Sequence, residues 1–168
     1  TGAAGGAGGG WRGQMDGDMT GEPGRIAVGG SLGDLREERG IDFGTANGEN
    51  VAGGMGLTPS TADTLLAAGV DVITSGNHIW DKREIYPYLD ATERVLRPLN
   101  YGEHEVPGRG WGVYQALDGT DVAVINLQGR TYMQPIENPF TDADRLLDES
   151  SEPLPPVRLV DFHCELTS

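Results

Sequence analysis

The sequence predicts an α/β fold, and three observations carry that expectation. Val70-Asp71-Val72-Ile73-Thr74 has the length and apolar content of a buried strand and runs directly into the polar loop Ser75-Gly76-Asn77-His78-Ile79-Trp80-Asp81. Ile41-Asp42-Phe43-Gly44-Thr45 enters a second polar loop, Ala46-Asn47-Gly48-Glu49-Asn50, in the same way. Between them lies a helix: Thr58 is its N-cap, Pro59 its first residue, Leu65 and Leu66 its core contacts and Gly69 its stop. Strands alternating with helices make an open sheet, and the loops leaving the strands' carboxyl ends converge on a crevice. A third candidate loop, Asp161-Phe162-His163, closes the run Val157-Arg158-Leu159-Val160. Glu, Asn and two His from separate strand ends form an oxygen and nitrogen donor set of the kind that holds a metal.

The remaining elements follow in chain order. Residues 1–15 form a Gly-rich leader, disordered or aberrant; Thr1 to Gly10 is almost all Gly and Ala and buries too little surface to offset its ordering entropy, so it is expected to be unordered or not to belong to the fold. Trp11 to Asp16 has neither alternation nor an apolar run, so the first strand of the sheet is expected to be weak or missing. Ile26 to Glu38 has partly helical spacing, weakened by Gly29, Gly30 and Gly33 at about 1 kcal/mol each. Asp81 to Leu89 suggests a short helix interrupted by Pro87, and Val95 to Pro98 an extended piece. Trp111 to Leu117 and Asp121 to Leu127 form a hairpin around Asp118-Gly119, whose glycine accepts the positive φ of a tight turn. Thr141 to Glu149 reads as an amphipathic helix capped by Thr141, joined to the last strand by Pro153-Leu154-Pro155-Pro156.

Composition narrows the function. With 168 residues there is room for one domain. No apolar stretch approaches the ~20 residues of a membrane span and no secretory pattern opens the chain, which makes a cytoplasmic location the default expectation. A formal charge of −14 without a basic cluster opposes binding to DNA or RNA. A small phosphorylated substrate stays compatible, because bound cations can supply the positive charge locally. The single Cys164 excludes an internal disulfide; beside His163 it is a buried filler, a thiol near metal, or incidental.

Five segments also carry a family resemblance: Gly17-Asp18-Met19-Thr20-Gly21-Glu22-Pro23-Gly24-Arg25, Asn47-Gly48-Glu49-Asn50, Gly76-Asn77-His78-Ile79-Trp80-Asp81, Asn126-Leu127-Gln128-Gly129-Arg130 and Asp161-Phe162-His163. Their order resembles that of YmdB-like metallophosphoesterases of the calcineurin-like superfamily. The resemblance implies a four-layer α/β/β/α sandwich, two divalent metal ions (Fe or Mn preferred, Zn compatible), and hydrolysis of small phosphoesters, 2′,3′-cyclic nucleotides foremost. It implies that Asp18 binds the first metal, Glu49 bridges both metals, Asn50 completes the first metal's ligand set on the Glu49 loop, and Asn77 and His163 bind the second metal. His78 would protonate the leaving oxygen.

Each role has a plainer competitor. Asp18 is also a good turn residue, Glu49 and Asn50 could shape a Gly turn, His78 could be a surface imidazole and His163 a satisfied core histidine. His104 and the run Asp81-Lys82-Arg83-Glu84 are expected to be solvated, the latter on a helix face. The family pattern also includes a Gly-Thr-His-Thr-His type loop with two more ligands, which is not among these residues. Residues 16–168 are therefore expected to be the N-terminal portion of such a domain, truncated at the C-terminus, with impaired activity and an exposed sheet edge that favours a homo-oligomer. A non-catalytic remnant or partner-binding module and a phosphomonoesterase or nucleotidase of the same superfamily are the competing functions.

Overall fold

The computed structural model describes residues 2–5, 12–16, 33–34, 36–102, 106–149 and 153–164. Two sheets face each other. The first has the spatial order β1 (Gly2–Gly5), β2 (Arg12–Asp16), β3 (Phe43–Asn47), β4 (Val72–Thr74), with β1 antiparallel to β2 and the other pairs parallel. The second is β5 (Trp111–Gln115), β6 (Asp121–Gln128), β7 (Val157–His163), with β5 and β6 antiparallel and β6 and β7 parallel. Helices α1 (Pro59–Ala67) and α2 (Ile85–Ala91) cover the first sheet, and α3 (Pro139–Glu149) covers the second.

The alternation of side chains along the strands sorts the core into three slabs, which is what a four-layer α/β/β/α arrangement requires. Ala46 and Ile73 face Leu57, Ala62, Leu65, Ile85 and Leu89 on the helical side. Phe43 and Val72 face the other way and meet Val122, Val124, Val157 and Leu159 between the sheets. Ile125 and Leu127 turn to the far side and pack against Ala143 and Leu146 of α3. All five residues of β3 are buried, as expected of a strand covered on both faces.

Several elements follow the sequence closely. Thr58 caps α1 in a full capping box: its hydroxyl accepts from Thr61 N at 3.2 Å, and Thr61 Oγ1 accepts from Thr58 N at 3.0 Å. Gly69 ends it with φ 101°. The hairpin forms with Gly119 at φ 86°, although β5 ends at Gln115 and the turn takes in residues 116–120. Val95 extends the first sheet beyond β4 by an isolated parallel bridge to Ile73, and Leu96 makes another to Arg109.

Four expectations need correction. The first parallel strand is present as β2, because its signal lies in the backbone: it pairs from Gly13↔Phe43 to Asp16↔Ala46, and the Asp42 carboxylate accepts the Arg12 N–H at 2.9 Å. Gly2–Gly5 departs from its expected lack of order by adding to the open edge of β2, a ladder that needs no side chains. The run Asp81 to Glu84 precedes α2 as a turn, and Pro87 sits within the helix's first turn, where its missing N–H is tolerated. Helix α3 starts two residues before Thr141, at Pro139, with Asn138 Oδ1 accepting the Phe140 N–H at 3.0 Å. Residues 33–34 and 36–39 are helical, and the rest of the Ile26 to Glu38 segment lies outside the described residues.

The outer side of the second sheet keeps an apolar strip, with Val160, Phe162, Phe140 and Leu147 exposed and the Phe140 and Phe162 rings 5.9 Å apart. Among the described residues no helix is long and apolar enough to cross a membrane.

Candidate metal centre

Toward the carboxyl ends of β3, β4, β6 and β7 the slab between the sheets changes from apolar to polar. Phe43 is followed on the same face by Thr45 and Asn47, Val72 by Thr74, Val124 by Asn126 and Gln128, and Leu159 by Asp161 and His163. Asp161 locks the sheets together there, accepting from Asn47 Nδ2 at 2.9 Å and from the Thr74 hydroxyl. Asn126, fully buried, does the same for the next loop, donating to Ser75 O at 2.8 Å and Leu96 O at 3.1 Å. Both clamps sit directly beneath the loops that carry the predicted donors.

Glu49 is the centre of the arrangement. It is 1 % exposed, and its turn is set by Asn47 Oδ1 accepting the Glu49 N–H at 3.2 Å and by Gly48 N donating to Thr74 O at 2.9 Å. Its Oε1 accepts from Asn50 Nδ2 at 3.2 Å and lies 3.2 Å from His163 Nε2. That last contact is close enough for an ion pair, yet buried His163 Nε2 makes no hydrogen bond among the described residues, so the two donors converge without being aimed at one another. Asn77 Oδ1 is likewise buried with no hydrogen-bond partner among the described residues. Leaving such atoms unsatisfied costs about 1–3 kcal/mol each, and a shared cation removes the cost.

Gly76 makes the convergence sterically feasible. A Cβ at this position would overlap the Glu49 carboxylate and the His163 ring, whose Cγ would lie 2.7 Å away. The adjacent residue is Asn77, which begins a 3-10 turn, Asn77–Trp80. His78, in that turn, places Nδ1 2.8 Å from Asp81 Oδ2, an (i, i+3) contact at the partly exposed rim.

The structure therefore brings together Glu49, Asn50 and His163 directly and sets Asn77 and His78 on the loop that Gly76 presses against them. Asp18 and His104 lie outside the described residues. Cys164 is exposed, because His163 turns inward at the strand end and the next residue turns out; the buried-filler reading of its thiol does not hold. Asp161, Asn126, Gly76 and Asp81 shape the site but escaped sequence reasoning as individual residues. For Asp161, the signal was its place two residues before His163 on a period-two strand.

The donors suit a hard or borderline divalent cation: one carboxylate, neutral amides and an imidazole, with no thiolate. Two facing sheets with helices outside, and a carboxylate, amide and imidazole cluster at the strand ends, define the metallophosphoesterase type of fold. The chain belongs to the family described as YmdB-like protein, which it matches over residues 15–168. It is 42% identical over 152 residues to a 2′,3′-cyclic-nucleotide 2′-phosphodiesterase of Bacillus subtilis, covering 90% of this chain and 56% of that protein. It is 32% identical to a putative phosphatase/phosphodiesterase of Mycoplasma genitalium, covering 90% and 54%. Among solved structures, a hypothetical protein from Thermus thermophilus superimposes with a TM-score of 0.81 at 39% identity, covering 90% of this chain and 57% of that one. A phosphatase from Mycoplasma pneumoniae gives 0.79 at 28% identity, covering 90% and 54%. The chain thus spans about half the length of the curated relatives it matches.

Proposed function

We propose that the chain contributes metal ligands and the proton donor of a phosphodiesterase acting on small phosphoesters, with 2′,3′-cyclic nucleotides as the leading substrate class. The observation that carries this reading is the meeting of Glu49 Oε1 and His163 Nε2 at 3.2 Å over Gly76, whose neighbour Asn77 has a buried Oδ1 with no hydrogen-bond partner among the described residues. Glu49, Asn50, Asn77 and His163, with Asp18 as the further carboxylate, would hold two divalent ions. Such ions neutralise phosphoryl charge and lower the pKa of water toward about 7, which supplies a nucleophile at neutral pH.

The chain's own residues do the rest. Glu49 offsets cationic charge from a buried position, while Asn50 and Asn77 add oxygen donors without adding charge. With Nδ1 engaged by Asp81, the His78 ring is oriented and can deliver a proton through Nε2 to the departing alkoxide. The similarity to the Bacillus subtilis enzyme supports the cyclic nucleotide as substrate.

Turnover of a 2′,3′-cyclic nucleotide, bis(p-nitrophenyl) phosphate and p-nitrophenyl phosphate with Mn²⁺, and again after chelation, tests the proposal. Chelator-sensitive hydrolysis that favours the two diesters is expected. A preference for the monoester would replace it with the phosphomonoesterase reading, and Mn²⁺ binding without any turnover would leave a non-catalytic domain.

A further inference from the structure

Beside the donors lies a polar aromatic group that the proposed chemistry does not use. Tyr101 follows the buried Asn100, whose side chain is held from three directions: Nδ2 donates to Gln128 O at 2.8 Å and Glu137 O at 3.0 Å, and Oδ1 accepts from Gln128 N at 3.0 Å. Arg97, 1 % exposed, fixes the same turn by donating to Pro98 O, Leu99 O and Gly102 O at 2.8–3.0 Å. This rigidity sets one side chain in place. The Tyr101 ring meets Trp80 edge-on with centroids 4.6 Å apart, and Trp80 belongs to the turn that carries Asn77 and His78. Its hydroxyl meets the side chain of Gln128, which pairs in register with His163 on the neighbouring strand.

The Tyr101 hydroxyl meets both ends of the Gln128 amide: it accepts from Gln128 Nε2 at 3.2 Å and donates to Gln128 Oε1 across a longer 3.4 Å. A closer, charged acceptor would compete for the phenolic proton with that long contact. Burial pushes the Tyr101 hydroxyl upward from its usual range, opposed by the Gln128 bond and assisted in smaller part by the nearby Glu49 charge. The Tyr101 ring is half-buried.

We infer that Tyr101 is a substrate-contacting residue whose hydroxyl, held by Gln128 and braced by Trp80, donates a hydrogen bond to an anionic phosphoryl oxygen bound at the Glu49 and His163 cluster. The inference rests on the phosphoesterase reading and adds a positioning group to it. A neutral phenol suits this place, since it binds an anion without competing with the cations for Glu49. Arg97 and Asn100 act through Tyr101 by fixing its turn.

The test is calorimetric titration of the Mn²⁺-loaded protein with inorganic phosphate, comparing wild type with Tyr101→Phe, which keeps the ring against Trp80. Mn²⁺ affinity is measured first on both. A hydrogen bond to a charged acceptor predicts phosphate binding about 10- to 100-fold weaker in the variant, with Mn²⁺ binding unchanged. Equal phosphate affinity in the two proteins would overturn the inference while leaving the phosphoesterase reading intact. Weakened Mn²⁺ binding would make Tyr101 part of the metal support instead, and wild-type Mn²⁺ binding with no phosphate binding would overturn both. Gln128→Leu provides a second arm, and phosphate affinity equal to wild type there would remove Gln128 from the account.

Discussion

Asp161 Oδ2 on β7 accepts a hydrogen bond from Asn47 Nδ2 on β3 at 2.9 Å, so one carboxylate ties the two sheets together at the end where the proposed metal donors sit. The same oxygen accepts from the Thr74 hydroxyl on β4. Because Asp161 and His163 share a face of β7, this clamp also sets how far the His163 ring reaches toward Glu49.

Asp161→Ala should therefore cost both stability and metal affinity. The Asn47 amide loses its acceptor, while Thr74 retains a longer contact to Ala46 O at 3.4 Å, so the expected loss is about 1–3 kcal/mol in urea unfolding. Support of a metal-ligand geometry by an outer residue is typically worth about 10- to 100-fold in affinity, and a Mn²⁺ titration should fall in that range. Asp161→Asn keeps an accepting oxygen and should fall between wild type and Ala. Unchanged stability and Mn²⁺ affinity in Asp161→Ala would show that the sheets are held by the apolar slab alone.

Glu49 carries the charge of the cluster, which gives it a different weight from the amides. Glu49→Gln keeps the shape and removes the charge, and Mn²⁺ binding should weaken by more than the roughly 100-fold upper range of a supporting residue. Asn77→Ala removes one neutral donor and should weaken a single site, leaving the remaining binding measurable. Calorimetric titration separates the two patterns. Equal Mn²⁺ affinity in wild type and Glu49→Gln would move the site away from this loop.

What the sequence made legible were the elements with a side-chain signal. Val72–Thr74 lies in an apolar run, Ile41 to Thr45 leads into a polar loop although β3 runs on to Asn47, Thr58 and Pro59 announce α1, and Asp118-Gly119 announces the hairpin. Strand β2 was not legible because its pairing partner, not its own pattern, defines it: Gly13, Gln14 and Asp16 become a strand only in register with β3. The same division runs through the site. Glu49, Asn50, Asn77, His78 and His163 stand at strand ends, where polar residues attract notice, whereas Asp161, Asn126 and Gln128 take their meaning from which strand lies opposite. Asp81 was hidden inside a charged run, and only the turn geometry brings its carboxylate to His78.

Alkaline pH should destabilise the fold through two tyrosines. Burial pushes the Tyr114 hydroxyl up to about 12, and its proton is donated to Glu93 O at 2.5 Å. Tyr88 also reaches about 12, through burial first and then the Asp63 carboxylate it donates to. In the unfolded chain both ionise near 10, so between about pH 10 and 12 the unfolded state holds fewer protons and stability falls as pH rises. Below about pH 10 the contribution is fully present. Urea unfolding across this window should show the fall, and Tyr114→Phe, which keeps the ring near Phe43, should make it shallower. An identical slope in wild type, Tyr114→Phe and Tyr88→Phe would assign the alkaline loss to other groups.

The sharpest expectation concerns His78, whose ring is aligned by Asp81 at 2.8 Å on the loop that begins with Asn77. A proton donor matters in proportion to the basicity of the leaving oxygen. The alkoxide of a 2′,3′-cyclic nucleotide needs a proton as its bond breaks, and p-nitrophenolate leaves without one. His78→Ala should therefore lower turnover of the cyclic nucleotide by about 10²- to 10⁴-fold, and that of bis(p-nitrophenyl) phosphate far less. Asp81→Asn keeps the imidazole but weakens its alignment, so it should show the same substrate bias with a smaller loss. Mn²⁺ content, measured in parallel, should match wild type in both variants because neither residue belongs to the Glu49, Asn50, Asn77 and His163 donor set. An equal fall on both substrates would remove the proton-donor role, and a fall in metal content would make His78 a ligand.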